Sequence, residues 1–212
     1  MNILIIPDGN RRWSRENGVS FDQGYERLAQ RLAESFEWLH NHDIPEVWVL
    51  VCSTNNLRRP AEEVDSYLQH FLEVQNYTKL PLGFTLTGEG LLKDSQREAY
   101  EKLAATQHDR PSLTVHYLIG WSLDNEVVRL VNHFRHAEQP VSREHLIEAS
   151  DIKKPIDLII RTGKVSRISE VVPWHSPYAE LCFVDAYWPD FTNKHLKEAI
   201  DFYQRQERRS GL

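Results

Sequence analysis

The sequence predicts an α/β fold: one domain spanning residues 1–212, with a six-stranded, mostly parallel sheet flanked by helices. Three observations carry this. Six short apolar runs are spaced along the chain, segments with helical periodicity separate them, and clusters of polar residues follow several of the runs. Strands alternating with helices imply parallel pairing and helices on both faces of the sheet.

Ile3 to Ile6 is the first apolar run, and it ends in Pro7-Asp8-Gly9-Asn10-Arg11-Arg12-Trp13. Arg12 to Gly18 suits one or two helical turns, with Gly18 as the stop. From Gly24 to His42 the spacing of Leu28, Leu32, Phe36 and Leu39 marks an amphipathic helix. His40 and His42 are expected at its end, in solvent or against the last carbonyls. Glu46 to Val51 is a second strand, followed by Cys52-Ser53-Thr54-Asn55-Asn56-Leu57-Arg58-Arg59-Pro60. Pro60 suits a first helical position, and the helix after it turns Val64, Tyr67, Leu68, Phe71 and Leu72 inward.

Leu82 to Thr87 is the third strand, and Asp94 to Gln107 a mostly polar helix. Leu113 to Ile119 is the fourth strand. Ser122 is a candidate cap for a helix with Leu123, Val127, Leu130, Val131 and Phe134 on one side. Ser142 caps a short helix to Ser150. Ile156 to Ile160 is the fifth strand and discharges into Arg161-Thr162-Gly163-Lys164-Val165-Ser166-Arg167-Ile168-Ser169. Glu180 to Val184 is the sixth. Thr192 caps a last helix that points Leu196, Ile200 and Tyr203 inward.

The chain is 41% apolar and 26% charged, with a formal net charge of −6. That charge argues against nucleic acid as the main partner. Cys52 and Cys182 sit in apolar runs, which suggests two reduced, buried thiols. No run approaches the ~20 apolar residues of a membrane span. With no basic segment and long apolar stretch at the start, a cytoplasmic protein is expected.

The chemistry lies in the residues that follow the strands. Asp8, Asn10, Arg11 and Arg12 follow the first, Ser53, Asn55, Asn56 and Arg59 the second, and Arg161, Arg167 and Ser169 the fifth. Ligands of open α/β sheets bind beyond the carboxyl ends of strands. The set is rich in guanidinium and amide groups, which grip phosphate oxygens. It is poor in paired carboxylates, so it suits polyanion binding better than proton transfer. One aspartate is enough for a magnesium ion whose other ligands are phosphates, and Glu180 is a second candidate carboxylate. Departure of a diphosphate from carbon is the reaction that fits.

These motifs resemble the cis-prenyltransferase family, typified by undecaprenyl diphosphate synthase. Residues 7–13, PDGNRRW, are similar to its DGNxRW signature, and Ser53 to Pro60 to its SxENWxRP segment. Arg161 to Trp174 with Ala179-Glu180-Leu181 is similar to its RTxGxxRxSxFLxWQxxYAEL region. Trp188-Pro189-Asp190-Phe191 resembles its WPDF turn, and Arg209-Ser210-Gly211 its terminal RxG. The resemblance implies a homodimer, Mg2+ as cofactor and allylic prenyl diphosphates as substrates. By the same resemblance Asp8 is the metal-binding catalytic aspartate, with Glu180 as a further metal ligand, and Ser53 and Asn56 assist proton removal. Gly9, Asn10, Arg11, Arg12, Trp13, Tyr25, Thr54, Asn55 and Arg59 are implied to bind substrate, as are Arg161, Arg167, Ser169, Arg209 and Gly211.

Several positions depart from the family pattern. Phe21 and Tyr25 stand where it has arginine and histidine, Asn55 where it has glutamate, and Leu57 where it has tryptophan. Phe21 and Tyr25 are expected to remove cationic contacts near the first diphosphate. The departures resemble the lavandulyl and cyclolavandulyl diphosphate synthase branch, as do PDGNRRWSRENGVS, IGWSLDNEVV at 119–128, and Pro173 to Glu180. That branch implies irregular coupling of two dimethylallyl diphosphates. The alternatives are regular condensation with isopentenyl diphosphate, or a non-catalytic partner subunit, which usually loses the aspartate motif retained here. Trp38, Trp48 and Trp121 are bulky candidates for limiting product length, or ordinary core residues.

Overall fold

The computed structural model describes residues 1–88, 91–105, 110–168 and 174–207. Its sheet has six strands in the order β3-β4-β2-β1-β5-β6. These are β1 Ile3–Ile6, β2 Glu46–Ser53, β3 Leu82–Thr87, β4 Leu113–Trp121, β5 Leu158–Arg161 and β6 Glu180–Phe183. Every neighbouring pair is parallel. The parallel six-stranded sheet expected from the sequence is therefore observed. The helices are α1 Asn10–Asn17, α2 Phe21–His40, α3 Ala61–Leu72, α4 Asp94–Ala105, α5 Leu123–Phe134, α6 Arg143–Ala149 and α7 Asn193–Gln204.

Alternation along the strands sends side chains to two buried layers. Ile3, Ile5, Val47, Val49, Val51 and Tyr117 pack with Leu28, Leu32 and Phe36 of α2, Phe71 of α3 and Leu196 of α7. On the other face Leu4, Ile6, Trp48, Leu50, Leu118 and Trp121 pack with Ile152, Ile156 and Ile159. Burial on both faces explains why these strands are almost continuously apolar. Trp48 and Trp121 thus lie across the sheet from α2 and α3, while Trp38 packs against the first layer.

Several boundaries moved for local reasons. α2 starts at Phe21 because Ser20 and Gln23 form a capping box. Gly24 therefore lies inside a helix, where a Cβ would meet Ser14 Oγ at 2.1 Å; the glycine permits the close approach of α1 to α2. Pro60 is the cap of α3, not its first residue. β4 continues through Gly120 and Trp121 to pair with the end of β2. Ile156 precedes β5 but is buried in the second layer. Residues 106 and 107 of the expected fourth helix lie outside the described residues. The expected inward stripe of α5 is only partly realised. Leu130 is buried, whereas Val127 is 45% and Val131 63% exposed. His42 Nδ1 lies 2.8 Å from the Trp38 carbonyl, as expected for a helix end. Cys52 is buried, Cys182 half-buried, and both thiols are free. No helix among the described residues is long and apolar enough to cross a membrane.

Candidate active site

β2, β1 and β5 are adjacent, so the residues that follow them converge on one rim. Asp8 sits two residues past β1 at its centre. Its Oδ1 accepts the Gly9 amide at 2.6 Å and Arg12 Nη2 at 3.2 Å, and its Oδ2 accepts Arg161 Nη2 at 2.9 Å. The Thr162 hydroxyl and the Trp188 amide both donate to the Asp8 carbonyl, bracing the backbone. Arg12 also donates to the Gly163 carbonyl at 2.6 Å, tying β1's rim to that of β5.

α1 begins immediately behind Asp8. Gly9 is its cap at φ 105°, and a Cβ there would lie 2.5 Å from the Tyr187 ring. The cap makes no side-chain hydrogen bond, the first turn holds no acid, and Arg11 and Arg12 occupy it. A helix N-terminus already carries roughly half a positive charge. Arginines placed there, with Arg11 and Arg15 four residues apart, repel one another by a few tenths of a kcal/mol per pair. This concentration of positive charge favours an anion. Asn10 Nδ2 donates to the Pro7 carbonyl, while its buried Oδ1 lacks a hydrogen-bond partner.

Glu63, in the first turn of α3, gathers the α1 and β2 rims. Its Oε1 lies 3.3 Å from Arg11 Nε and 3.6 Å from Arg59 Nη1, and accepts the Tyr25 hydroxyl at 3.2 Å. At Phe21, expected to remove a cationic contact, two guanidinium groups of α1 lie beside the ring. The guanidinium carbons of Arg11 and Arg15 lie 5.2 and 5.5 Å from the Phe21 ring centre. On the β2 rim the Ser53 amide donates to Asn56 Oδ1 at 3.1 Å.

These groups surround a cavity of about 420 Å³. Six arginines line it: 11, 12, 15, 59, 161 and 167. Asp8 is the carboxylate among them, and Gly9, Asn10, Ser53 and Asn56 complete the polar wall. Val51, Cys52, Tyr25 and Tyr67 are among the less polar residues of the lining. Burial, and then the Glu63 carboxylate, push the Tyr25 phenol up. Burial raises Tyr67 too, and lifts the Cys52 thiol to about 11 against the Gly120 amide, which donates to it. All three remain protonated at neutral pH.

Other expected site residues are placed elsewhere. Trp13 does not line the cavity; its indole donates to Asp190 at 2.8 Å and fastens α1 to the turn at 188–190. Thr54 and Asn55 are also outside the lining. Glu180 pairs in register with Leu158, and Leu158 with Ile3. It therefore stands at the strands' amino ends, whereas Asp8 lies beyond their carboxyl ends, and the parallel sheet keeps the two apart within one chain. Ser169, Arg209 and Gly211 lie outside the described residues. Sequence reasoning missed Arg15, Glu63 and Tyr67 as site residues. The signal was helical spacing: Arg15 follows Arg11 by four, Glu63 follows Arg59 by four, and Tyr67 follows Glu63 by four.

Magnesium can be tested against the donor set. No group of three or more His, Cys, Asp or Glu stands together among the described residues. A carboxylate has about four acceptor positions, and the Gly9 amide, Arg12 and Arg161 fill three on Asp8. One position remains, which fits a Mg2+ that takes most of its ligands from substrate phosphates and water.

Comparison with known proteins agrees with this chemistry. Residues 6–211 match the family model described as "Putative undecaprenyl diphosphate synthase". An isoprenyl transferase of Fusobacterium nucleatum is 30% identical, over 99% of this chain and 95% of its own. One of Wolinella succinogenes is 31% identical over 99% and 96%. The crystal structure of lavandulyl diphosphate synthase from Lavandula x intermedia, in complex with dimethylallyl diphosphate, superposes with a TM-score of 0.88. It covers 100% of this chain and 98% of that one at 18% identity, a likeness of fold. The family match over residues 6–211, with relatives 30–31% identical across nearly the whole chain, makes the chain a member of the cis-prenyltransferase family, an enzyme that transfers prenyl groups.

Proposed function

We propose that the chain joins two molecules of dimethylallyl diphosphate by irregular head-to-middle coupling, giving a lavandulyl- or cyclolavandulyl-type ten-carbon diphosphate and inorganic diphosphate. One observation carries this: a single cavity is lined by six arginines and one carboxylate together with apolar residues and two tyrosines. Its ~420 Å³ is at the low end of small-molecule sites, about 300–1,000 Å³. That suits five-carbon tails better than a long polyprenyl chain. Behind Tyr67 the space is filled by Phe71, whose ring centre is 5.0 Å away, and then by Tyr117 at 5.6 Å from Phe71.

The arginines orient the diphosphates and stabilise the charge that grows on the leaving group. Asp8 is the residue that would hold Mg2+, which when bound would neutralise more of that charge. The C–O bond of one substrate breaks and its electron pair departs with the diphosphate. The double bond of the second substrate supplies the new C–C bond, and a proton is then lost. Asn56 Oδ1 already accepts the Ser53 amide, which makes the released diphosphate the better proton acceptor of the two candidates. The released diphosphate takes the proton. Exclusion of water by Tyr25 and Tyr67 protects the cation from hydrolysis.

Regular condensation with isopentenyl diphosphate is the second reading, favoured by the 30% identity to an isoprenyl transferase over nearly the whole chain. Incubation with Mg2+ and dimethylallyl diphosphate alone, then with isopentenyl diphosphate added, separates the two. Products are dephosphorylated and analysed by gas chromatography–mass spectrometry. A branched or cyclic ten-carbon alcohol from the first incubation supports irregular coupling. Products only in the second overturn it in favour of regular elongation.

The working unit in this reading is a homodimer. Support comes from apolar side chains left in solvent: Val127, Val128 and Val131 on α5, and Tyr178, Leu181 and Phe183 on and before β6. The two regions are joined by the bonds that Trp174 and His175 make with Glu126 of α5. Several exposed apolar side chains on one helix are a feature of interaction sites.

A further inference from the structure

Phe21 opens α2 and packs its edge against the first core layer. Its ring also lies within ~6 Å of two cations, the reach of a cation–π contact: Arg11 at 5.2 Å and Arg15 at 5.5 Å. Both guanidinium groups line the cavity, and Phe21 does not. Arg11 has a carboxylate partner in Glu63 at 3.3 Å; for Arg15 the described ion pairs include none. Tyr187 repeats the arrangement with Arg12 at 5.4 Å and Lys164 at 4.4 Å from its ring centre. A carboxylate in either place would hold the arginines as firmly, but would cancel the charge a diphosphate needs. An aromatic face attracts cations without carrying net charge, so it orders Arg15 without offsetting its charge and adds a second hold on Arg11 beside Glu63.

We infer that Phe21 is a positioning residue for diphosphate binding, a neutral shelf that aims Arg11 and Arg15 into the cavity. The inference rests on the diphosphate reading of the site and adds which residue makes its arginines effective.

Inorganic pyrophosphate is the probe, titrated calorimetrically into the full chain. Phe21→Leu keeps apolar bulk and removes the ring; about three- to tenfold weaker binding is expected, the size of one or two cation–π contacts. KM for dimethylallyl diphosphate rises by the same factor while kcat changes less than about twofold, the split expected when ground and transition states lose the same contact. Phe21→Trp restores affinity. Pentafluorophenylalanine at position 21 keeps the shape and removes the negative ring face, so it behaves like leucine even if Phe21→Leu proves poorly folded. In an Arg11→Gln/Arg15→Gln background, Phe21→Leu has no further effect. The inference is overturned if the fluorinated ring binds pyrophosphate as the native one does, or if Phe21→Leu is equally damaging without the arginines. Failure of the unmodified chain to bind pyrophosphate overturns the diphosphate reading itself.

Discussion

α1 and α5 both start at the same rim, one just after β1 and the other directly after β4, yet their N-termini are built in opposite ways. α5 is self-sufficient there. Ser122 Oγ accepts the Asn125 amide, and Asp124 and Glu126 stand in the first turn, where carboxylates favour the helix dipole. α1 has a glycine cap without a side-chain bond, no acid in its first turn, and two arginines instead. The contrast reverses along the helices: α1 is packed on α2 through Gly24, while α5 leaves three valines in solvent. One helix begins in concentrated positive charge, and the other exposes apolar side chains. In the reading proposed above, the charged surface of α1 takes a diphosphate and the apolar surface of α5 takes a second copy of the chain.

The strongest way to break this contrast is at Asp8. Asp8→Asn keeps the size of the side chain but removes the charge that aligns Arg12 and Arg161. Turnover of dimethylallyl diphosphate is expected to fall on the order of 10²–10³-fold with circular dichroism unchanged. Near-native turnover would mean that the α1 rim is not the reacting site. At α5, Val131→Asp puts a charge on the most exposed of its valines. Sedimentation should show dimer dissociation at about tenfold or more higher protein concentration than native. An unchanged association constant would free α5 of that role.

Glu63→Gln sharpens the picture on the α1 side. Arg11, Arg59 and the Tyr25 hydroxyl share that carboxylate. Losing its charge should cost about 1–2 kcal/mol, seen as a melting temperature lower by a few degrees. No change in melting would show that solvent and the cavity already satisfy those arginines.

The smallest effect is expected at Glu126. It is buried on α5, where burial works to raise its pKa, but His175, the Asp151 amide and Trp174 outweigh this and hold it below the ordinary value. A carboxylate with a lowered folded pKa stabilises above its unfolded value, near 4.5, and that contribution is lost as pH falls through the folded pKa. Melting temperature should therefore drop below about pH 4.5 in the native chain, and less steeply in Glu126→Gln. Parallel acid limbs in the two proteins would assign the loss to other groups.

Much of this was legible in the sequence. Strands such as Leu82–Thr87 were recovered to the residue, because an apolar run closed by glycine or polar residues is a strictly local signal. So were the caps at Ser122 and Thr192, since capping depends on a few neighbouring residues. Asp8, the rim arginines and Asn56 could be named because parallel topology forces the ends of β2, β1 and β5 together. Their order as motifs sufficed for the family.

What local pattern could not supply was which face a residue meets across space. α5 has a convincing apolar stripe, yet periodicity records only that one side is apolar, not whether that side faces its own sheet or another molecule. Trp48 and Trp121 are core residues, one of the two readings their bulk allowed, but which face of the sheet they take follows from strand register. Glu180 has the right chemistry for a metal ligand, and the parallel register puts it at the far end of the strands. Phe21 read as a lost arginine because a sequence shows the charge that left position 21, not the two guanidinium groups that α1 brings to its ring. Composition and period thus determined the fold class and the chemistry available. Packing of distant segments decided which charges meet, which are shielded, and which wait for a ligand.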